Sequence, residues 1–423
     1  MVAIISAVIL NFTRAKYRVT QSIPFIQGTI NYTLADLNIV AMYLDGSEID
    51  TLPDGNYELT SESYCTTEDD VRDESITLSY DSATKGLSVS PMTKKGTKCY
   101  LYFEEHKIPA GDTILAHYQT VLTRTSFSST ITITTTGTIY KSANESQYDN
   151  DGEVYYFAGN PTDNWFQFGT NSSGQPLYWR IVRINGDGSI RLIYNGTTTS
   201  QTGNSTMINT SQAFNSSRNN SMYVGYMYQS GQPHGLSTNS NIKTAIDNWY
   251  LANLVDEAEQ LDGNAGFCGD RTPYNVNGTS IIEYGAHNRL SRNSTPSFKC
   301  SDTQDLYTTP RSRKGNGALK ASNGTPTPIG LISADEVVFA GGVYGSVNSG
   351  YYLYNNAYCW TMSPFHFDGS NSWAFNVWSN GGLNALGVNG TYGVRPVINL
   401  KSSIAISGSG TTSDPFKVVA LKS

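Results

Sequence analysis

Cysteine, histidine and carboxylate side chains are the groups best able to do chemistry in this chain, and their spacing favours cross-links over catalysis. The five cysteines stand at 65, 99, 268, 300 and 359. None belongs to a C-x-x-C pair, and no histidine lies where a zinc site would need it. Two local pairs and one leftover form the natural partition. Cys65 with Cys99 and Cys268 with Cys300 each close a loop of about 33 residues, contributing ~3 kcal/mol when oxidised. Such bridges imply an exported protein.

No catalytic constellation accompanies them. His106, His117, His234, His287 and His366 lie in unrelated contexts, and no G-x-S-x-G, H-E-x-x-H or P-loop pattern occurs. We therefore expect no enzyme, no cofactor and no resident metal. The acidic runs Glu68-Asp69-Asp70 and Asp149-Asn150-Asp151-Gly152 lack the full order of a calcium loop and read as solvated turns. Sequons at Asn195, Asn277 and Asn389 follow from a composition rich in Asn, Ser and Thr.

The stretch with the most specific chemistry is Cys359 to Arg395. Trp360, Pro364, Trp373, Phe375, Val377, Trp378, Leu383, Val388 and Arg395 form a frame, with Asn, Gly, Ser, Ala, His and Asp between them. The frame is expected to be buried and the intervening positions to form a binding face. Aromatic rings supply contact area at low entropic cost, and Ser, Gly and Asn adapt their hydrogen bonds.

The elements that must position this stretch follow from composition and pattern. A chain of 423 residues exceeds one hydrophobic core, so several domains are expected. Only 15% of residues are charged while 12% are aromatic, a balance suited to β-rich, loop-rich folds. The net charge of −7 argues against a nucleic-acid surface. TKKGTK at 93–98 and RSRKG at 311–315 are short, solvated basic runs. Residues 2–12, VAIISAVILNF, are apolar but too short to span a bilayer alone. Four readings stay open for 1–20: a membrane anchor cut short, a signal-peptide core, a helix for self-assembly, or a buried first strand or helix.

From 21 to 120, NIVAMYLDG, GNYELTS, SITLSYD, GLSVSPM and KCYLYFEE read as short strands separated by turns. They predict an all-β sandwich of the immunoglobulin-like type, stapled by its cysteines. Residues 121–150 read as a strand and linker, and 151–423 as the ligand-binding domain. There, LYWRIVRI and SIRLIYNG flank Asn185-Gly186-Asp187-Gly188, a hairpin signal. Residues 195–240 are polar and read as a long loop. One helix is expected from Ile242, capped by Asn239 or Ser240 and ending near Asp262-Gly263. A second begins at Ser333 with the capping-box order S-x-x-E and stops at Gly341-Gly342. GVRPVINL reads as a strand whose Pro396 must sit at an edge or bulge.

YYFAGNPTDNW, YWRIVRINGDGSIRLIYNGT, FCGDR with SFKC, PIGLISADEVVFAGG, CWTMSP and GVRPVINL occur in this order over about 140–423. Together they resemble exported proteins of Gram-positive gut bacteria and their prophages. The resemblance implies a C-type-lectin fold, in the branch shared with formylglycine-generating-enzyme-like domains, giving an α+β chain with two helices and short antiparallel strands. Those enzymes use paired cysteines with copper. Cys359 stands alone here, so the resemblance of fold does not carry that activity over.

In some of these proteins the segment before GVRPV resembles the variable region written by a diversity-generating retroelement. Such systems randomise template adenines and turn AAC codons into any codon ending in C. Codons ending in C encode no Lys, Glu, Gln or Met, and 365–392 contains none of the four. Trp373 and Trp378 must then be fixed positions. The resemblance implies variable contact residues at Phe365, His366, Phe367, Asp368, Ser372, Asn380, Gly382, Asn384, Ala385, Leu386, Gly387, Asn389 and Gly390. Tyr358, Cys359 and Tyr392 join them, since TAC becomes TGC by one such change.

The expected function is therefore display of a hypervariable, adhesin-like or receptor-binding face outside the cell or on its surface. Its partner would be an unknown protein or cell-surface ligand. The alternative is a structural subunit of an extracellular filament, pilus or phage fibre, with residues 2–12 packing between subunits or contacting a membrane.

Overall fold

Alternating residues build strands such as Thr77–Asp81 and Gly86–Ser90, continuously buried runs build Ile190–Tyr194 and Pro396–Leu400, and the chain is α+β with strands predominating. The computed structural model describes residues 38–53, 57–82, 84–91, 96–105, 109–142, 152–277, 281–312 and 315–419. The apolar segment 2–12 and the whole tract 143–151 lie outside them. Contacts divide the chain into two units, Met1–Lys107 and Ile108–Ser423. The expected boundaries at 120 and 150 thus differ from the division by contacts. Helix α1 (Ala110–Leu115) and strand Thr138–Lys141 belong with the second unit because Ala110, Ile114 and Ile139 pack into its core, and the exposed strand Thr120–Thr123 joins it by pairing in parallel with Thr138–Lys141.

In the first unit, Ile39, Met42, Leu101 and Phe103 are buried together with both cysteines. Strand Lys98–Glu105 is the centre of a five-stranded sheet and pairs in parallel with Asn38–Leu44. It also pairs antiparallel with Tyr57–Leu59 and Tyr64–Thr66. A separate hairpin, Thr77–Asp81 with Gly86–Ser90, adds Leu87 and Val89 to the same core. Cys65 and Cys99 are direct cross-strand partners and are bonded, with a Cα–Cα distance of 4.0 Å.

The second unit is built on two large sheets. In the first, the expected hairpin forms: Pro176–Ile184 and Ile190–Tyr194 pair antiparallel around the turn Asn185–Gly188. Gly188 takes a φ of 80°, which a side chain would strain. Pro396–Leu400 lies between Ile190–Tyr194 and Ile329–Leu331, an interior position. Pro396 is tolerated because it opens the strand rather than interrupting it.

The second sheet carries the candidate segment. Asn209–Ala213, Thr391–Val394, Cys359–Phe367, Ile281–Tyr284 and Pro273–Asn277 follow one another in it. Ser372–Val377 pairs with Cys359–Phe367, and Leu383–Gly387 with Ser372–Val377. The polar stretch 195–240, expected as loop, contributes a strand here because Asn209–Ala213 completes the edge beside Thr391–Val394.

The chain changes sheets at one residue. Val394 ends a strand of the second sheet and Pro396 begins one of the first. Arg395 lies between them, 2% exposed, and donates to the Tyr194 carbonyl at 3.0 Å, the Leu353 carbonyl at 2.9 Å and Asn195 Oδ1 at 2.7 Å. Burial pushes its guanidinium below the usual arginine range.

Helices α2 (Asn241–Asn253) and α3 (Ala334–Phe339) start where their caps require. Ser240 Oγ accepts from Lys243 N at 3.2 Å. The α-helical turns stop at Asn253, short of the expected end, because Leu254 leaves the helical region at φ −134° and a 3₁₀ segment, Val255–Gln260, takes over. Ser333 and Glu336 form the predicted capping box, with Glu336 N to Ser333 Oγ at 3.1 Å and Ser333 N to Glu336 Oε2 at 2.8 Å. The Glu336 carboxylate is buried and pairs with Arg183 and Arg191, which ties α3 to the long hairpin. Cys268 and Cys300 are bonded at 2.05 Å. The two bridges are consistent with an extracellular location. Among the described residues, no helix is long and apolar enough to cross a membrane.

Candidate binding site

Strand pairing sorts the candidate segment. Trp360, Pro364, Phe375, Val377, Leu383, Val388 and Arg395 are buried, as the frame reading requires, and Trp360 Nε1 donates to the Gln212 carbonyl at 2.7 Å. Trp373 and Trp378 are only half-buried. Among the expected contact residues, Asp368, Asn380 and Asn389 are exposed. Tyr358, His366, Phe367, Asn384, Leu386, Gly387, Gly390 and Tyr392 are half-buried.

Five expected contact residues face inward: Cys359, Phe365, Ser372, Gly382 and Ala385. Phe365 is 7% exposed, stacks on Tyr344 at 5.7 Å and meets Phe375 edge-on at 5.0 Å. The second sheet is covered on both faces here, so period-two alternation does not leave every other residue in solvent. Ser372 shows the same effect from the other face, its Oγ donating to the Asn220 carbonyl at 2.6 Å.

Cys359 is buried, with Asn355 Nδ2 at 3.4 Å and Met207 Sδ at 3.6 Å from its sulfur. Burial pushes its thiol up, which suppresses the reactive thiolate.

The accessible residues separate to the two ends of strand Cys359–Phe367, whose nine residues span roughly 27 Å. At one end, Tyr358 lies 5.8 Å from Trp378 and 5.5 Å from Tyr392, ring to ring. At the other end, four half-buried residues form a row across four strands. Glu283 pairs with His366, His366 with Trp373, and Trp373 with Gly387. The exposed turn residues Asp368 and Asn389 flank this row. Trp373 Nε1 donates to Asp368 Oδ2 at 3.0 Å, and the other carboxylate oxygen accepts from Ser370 N at 2.9 Å and Asn371 N at 2.7 Å.

Residues from distant parts of the chain complete this end. The His287 ring lies 4.0 Å from Phe365 and 5.8 Å from His366, and its Nδ1 is 4.0 Å from the Glu283 carboxylate. Arg218 approaches Gly387. Burial lowers His287 to about 4, outweighing the pull of Glu283, and burial also lowers His366. Both rings are therefore neutral near pH 7 and can give and accept hydrogen bonds. Glu283, His287 and Arg218 carry no local sequence signal for this site, because only long-range contacts bring them here: Glu283 by strand pairing with His366, His287 from the helical turn that follows, and Arg218 from a loop whose carbonyl accepts from Ser372 N. Among the described residues, no group of three or more His, Cys, Asp or Glu side chains is placed to hold a metal ion.

No family model, curated protein or solved structure matches this chain.

The arrangement suits recognition. Flat rings, an oriented carboxylate and neutral imidazoles sit on a paired backbone, so a ligand meets preorganised groups.

Proposed function

We propose that this chain is an exported ligand-binding protein of the adhesin or receptor-binding kind, with a C-type-lectin-like second unit and an immunoglobulin-like spacer as its first. The observation that carries this reading is the Glu283–His366–Trp373–Gly387 row, flanked by the exposed Asp368 and Asn389. Two adjacent rings stand there between a carboxylate and a glycine, with short polar side chains beside them and the buried Phe365 and Phe375 nearby, a mixture of rings and small polar residues like that of antibody loops. The two disulfides fit an extracellular setting. Diversification of 359–392 also belongs to this proposal, and its contact set narrows to His366, Phe367, Asp368, Gly387, Asn389 and Gly390.

Two measurements test it. An adenine-mutagenised near-repeat of the 359–392 coding sequence, beside a reverse-transcriptase gene, is expected at the locus; a complete locus lacking both removes diversification. Labelled protein is expected to bind intact bacterial or host cells, and a His366→Ala/Asp368→Ala/Asn389→Ala variant to lose that binding with its melting temperature kept. Equal binding by variant and parent, or none by either, overturns the display reading.

A further inference from the structure

A short hairpin pairs Met227–Tyr228 with Thr238–Asn239 and carries a tip at 229–237. Residues 229–233 are exposed, and the tip bonds to itself, from Gln232 N to the Gln229 carbonyl at 3.2 Å and from Gly235 N to the Gln232 carbonyl at 3.4 Å. Gly231, Gln232 and Pro233 form one wall of a cavity of about 300 Å³ that Val224, Ile282 and Tyr284 also line.

His234 turns inward from this tip. Only 16% of its side chain is exposed, and its Nδ1 lies 3.0 Å from Asp305 Oδ1 and its Nε2 3.8 Å from Asp302 Oδ2. Asp302 caps and Asp305 closes a 3₁₀ turn, Thr303–Asp305, that is fixed independently of the tip. Gly269 N donates to the Asp305 carbonyl at 2.7 Å, and Cys300 is bonded to Cys268. Arg271 is the other charged group of the cluster, its Nε donating to Asp305 Oδ1 at 3.0 Å and its Nη1 to the Gly235 carbonyl at 3.2 Å. Two carboxylates therefore share one guanidinium. A neutral His234 leaves a surplus negative charge in a partly buried setting, and an imidazolium balances it.

We propose that His234 is a pH-sensitive latch: charged, it holds the hairpin tip, and with it one wall of the cavity, against Asp302 and Asp305, and on losing its proton it lets the tip open. The device does not depend on the binding face at 366–390. The Asp305 contact raises His234 above the ordinary 6.5, outweighing burial and the Arg271 charge, and the Asp302 charge adds to the rise. A group raised in the folded state contributes stability that is complete below its unfolded value and disappears as pH climbs through the folded one. The latch is therefore closed at pH 6 and releases in a window that runs upward from 6.5. His287 and His366 are both lowered, so their titration falls on the other side of that value.

Amide hydrogen exchange of the full chain between pH 6 and 9, corrected for the intrinsic pH dependence of exchange, tests the latch. Protection at Gln232 and Gly235 is expected to fall by about fivefold or more across the series, the scale of one ion pair, while amides in α2 keep theirs. His234→Gln is expected to show the parent's high-pH protection throughout. Asp302→Asn keeps an oxygen to cap Gln304 N but removes one carboxylate, and is expected to move the parent's transition to lower pH. Protection that does not change with pH in the parent, a pH dependence of the same size in folded His234→Gln, or a transition that Asp302→Asn leaves unmoved overturns the proposal.

Discussion

Trp373 and Asp368 are joined by an indole-to-carboxylate hydrogen bond of 3.0 Å that closes the turn at the tip of the candidate segment. Burial opposes ionisation of Asp368, but the bonds from Trp373, Ser370 and Asn371 outweigh it and hold its carboxyl down at about 2. A carboxyl depressed in the folded state stabilises above its unfolded value near ~3.9, and that contribution disappears as pH falls through the folded value. The stability difference between parent and Asp368→Asn, measured by urea unfolding, should therefore be constant above pH 5 and shrink between pH 4 and 2.

His287 predicts a separate acid response. Its folded value of about 4 lies below the ordinary histidine value of 6.5, chiefly through burial. The unfolded chain takes up a proton first, so stability should fall as pH drops from 6.5 to 4. In His287→Gln this part of the slope should vanish. If unfolding midpoints of parent and variant run parallel over that window, His287 is not held neutral.

Phe365 and His366 are adjacent but should respond oppositely. Phe365 is buried among Tyr344, Phe375 and His287, so Phe365→Ala should cost about 3–5 kcal/mol. His366→Ala should cost about 1 kcal/mol or less while removing ligand contact. Denaturant unfolding of both variants checks the division between frame and face. Equal losses would place His366 in the core.

How much of this was legible from the chain can be judged on particular residues. Both disulfides, the Asn185–Gly188 hairpin and the Ser333–Glu336 capping box were readable because each depends on residues close in sequence or on simple pairing. Phe365 was misread as a contact residue. Its burial comes from Tyr344 and His287, which lie on other elements, and no local pattern announces a second covering layer. Glu283 was missed for the related reason that its place in the row exists only through pairing with His366.

Cys359 should behave as a protected thiol. It is buried between Asn355 and Met207, and burial raises its pKa. Native protein should react with a thiol-specific disulfide reagent at least about 100-fold more slowly than protein in denaturant. Labelling at the same rate in both conditions would place Cys359 at the surface.

The sheet crossover at Arg395 has a consequence for how this chain tolerates change. Immediately after the candidate segment, one side chain grips the Tyr194 carbonyl, the Leu353 carbonyl and the Asn195 amide, all from outside that segment. The exit of the segment is thus anchored by contacts that do not depend on the residues at its tips. Replacements at 366–368 or 387–390 leave this anchor in place, so errors there remain local and the position carries sequence novelty at small risk to folding.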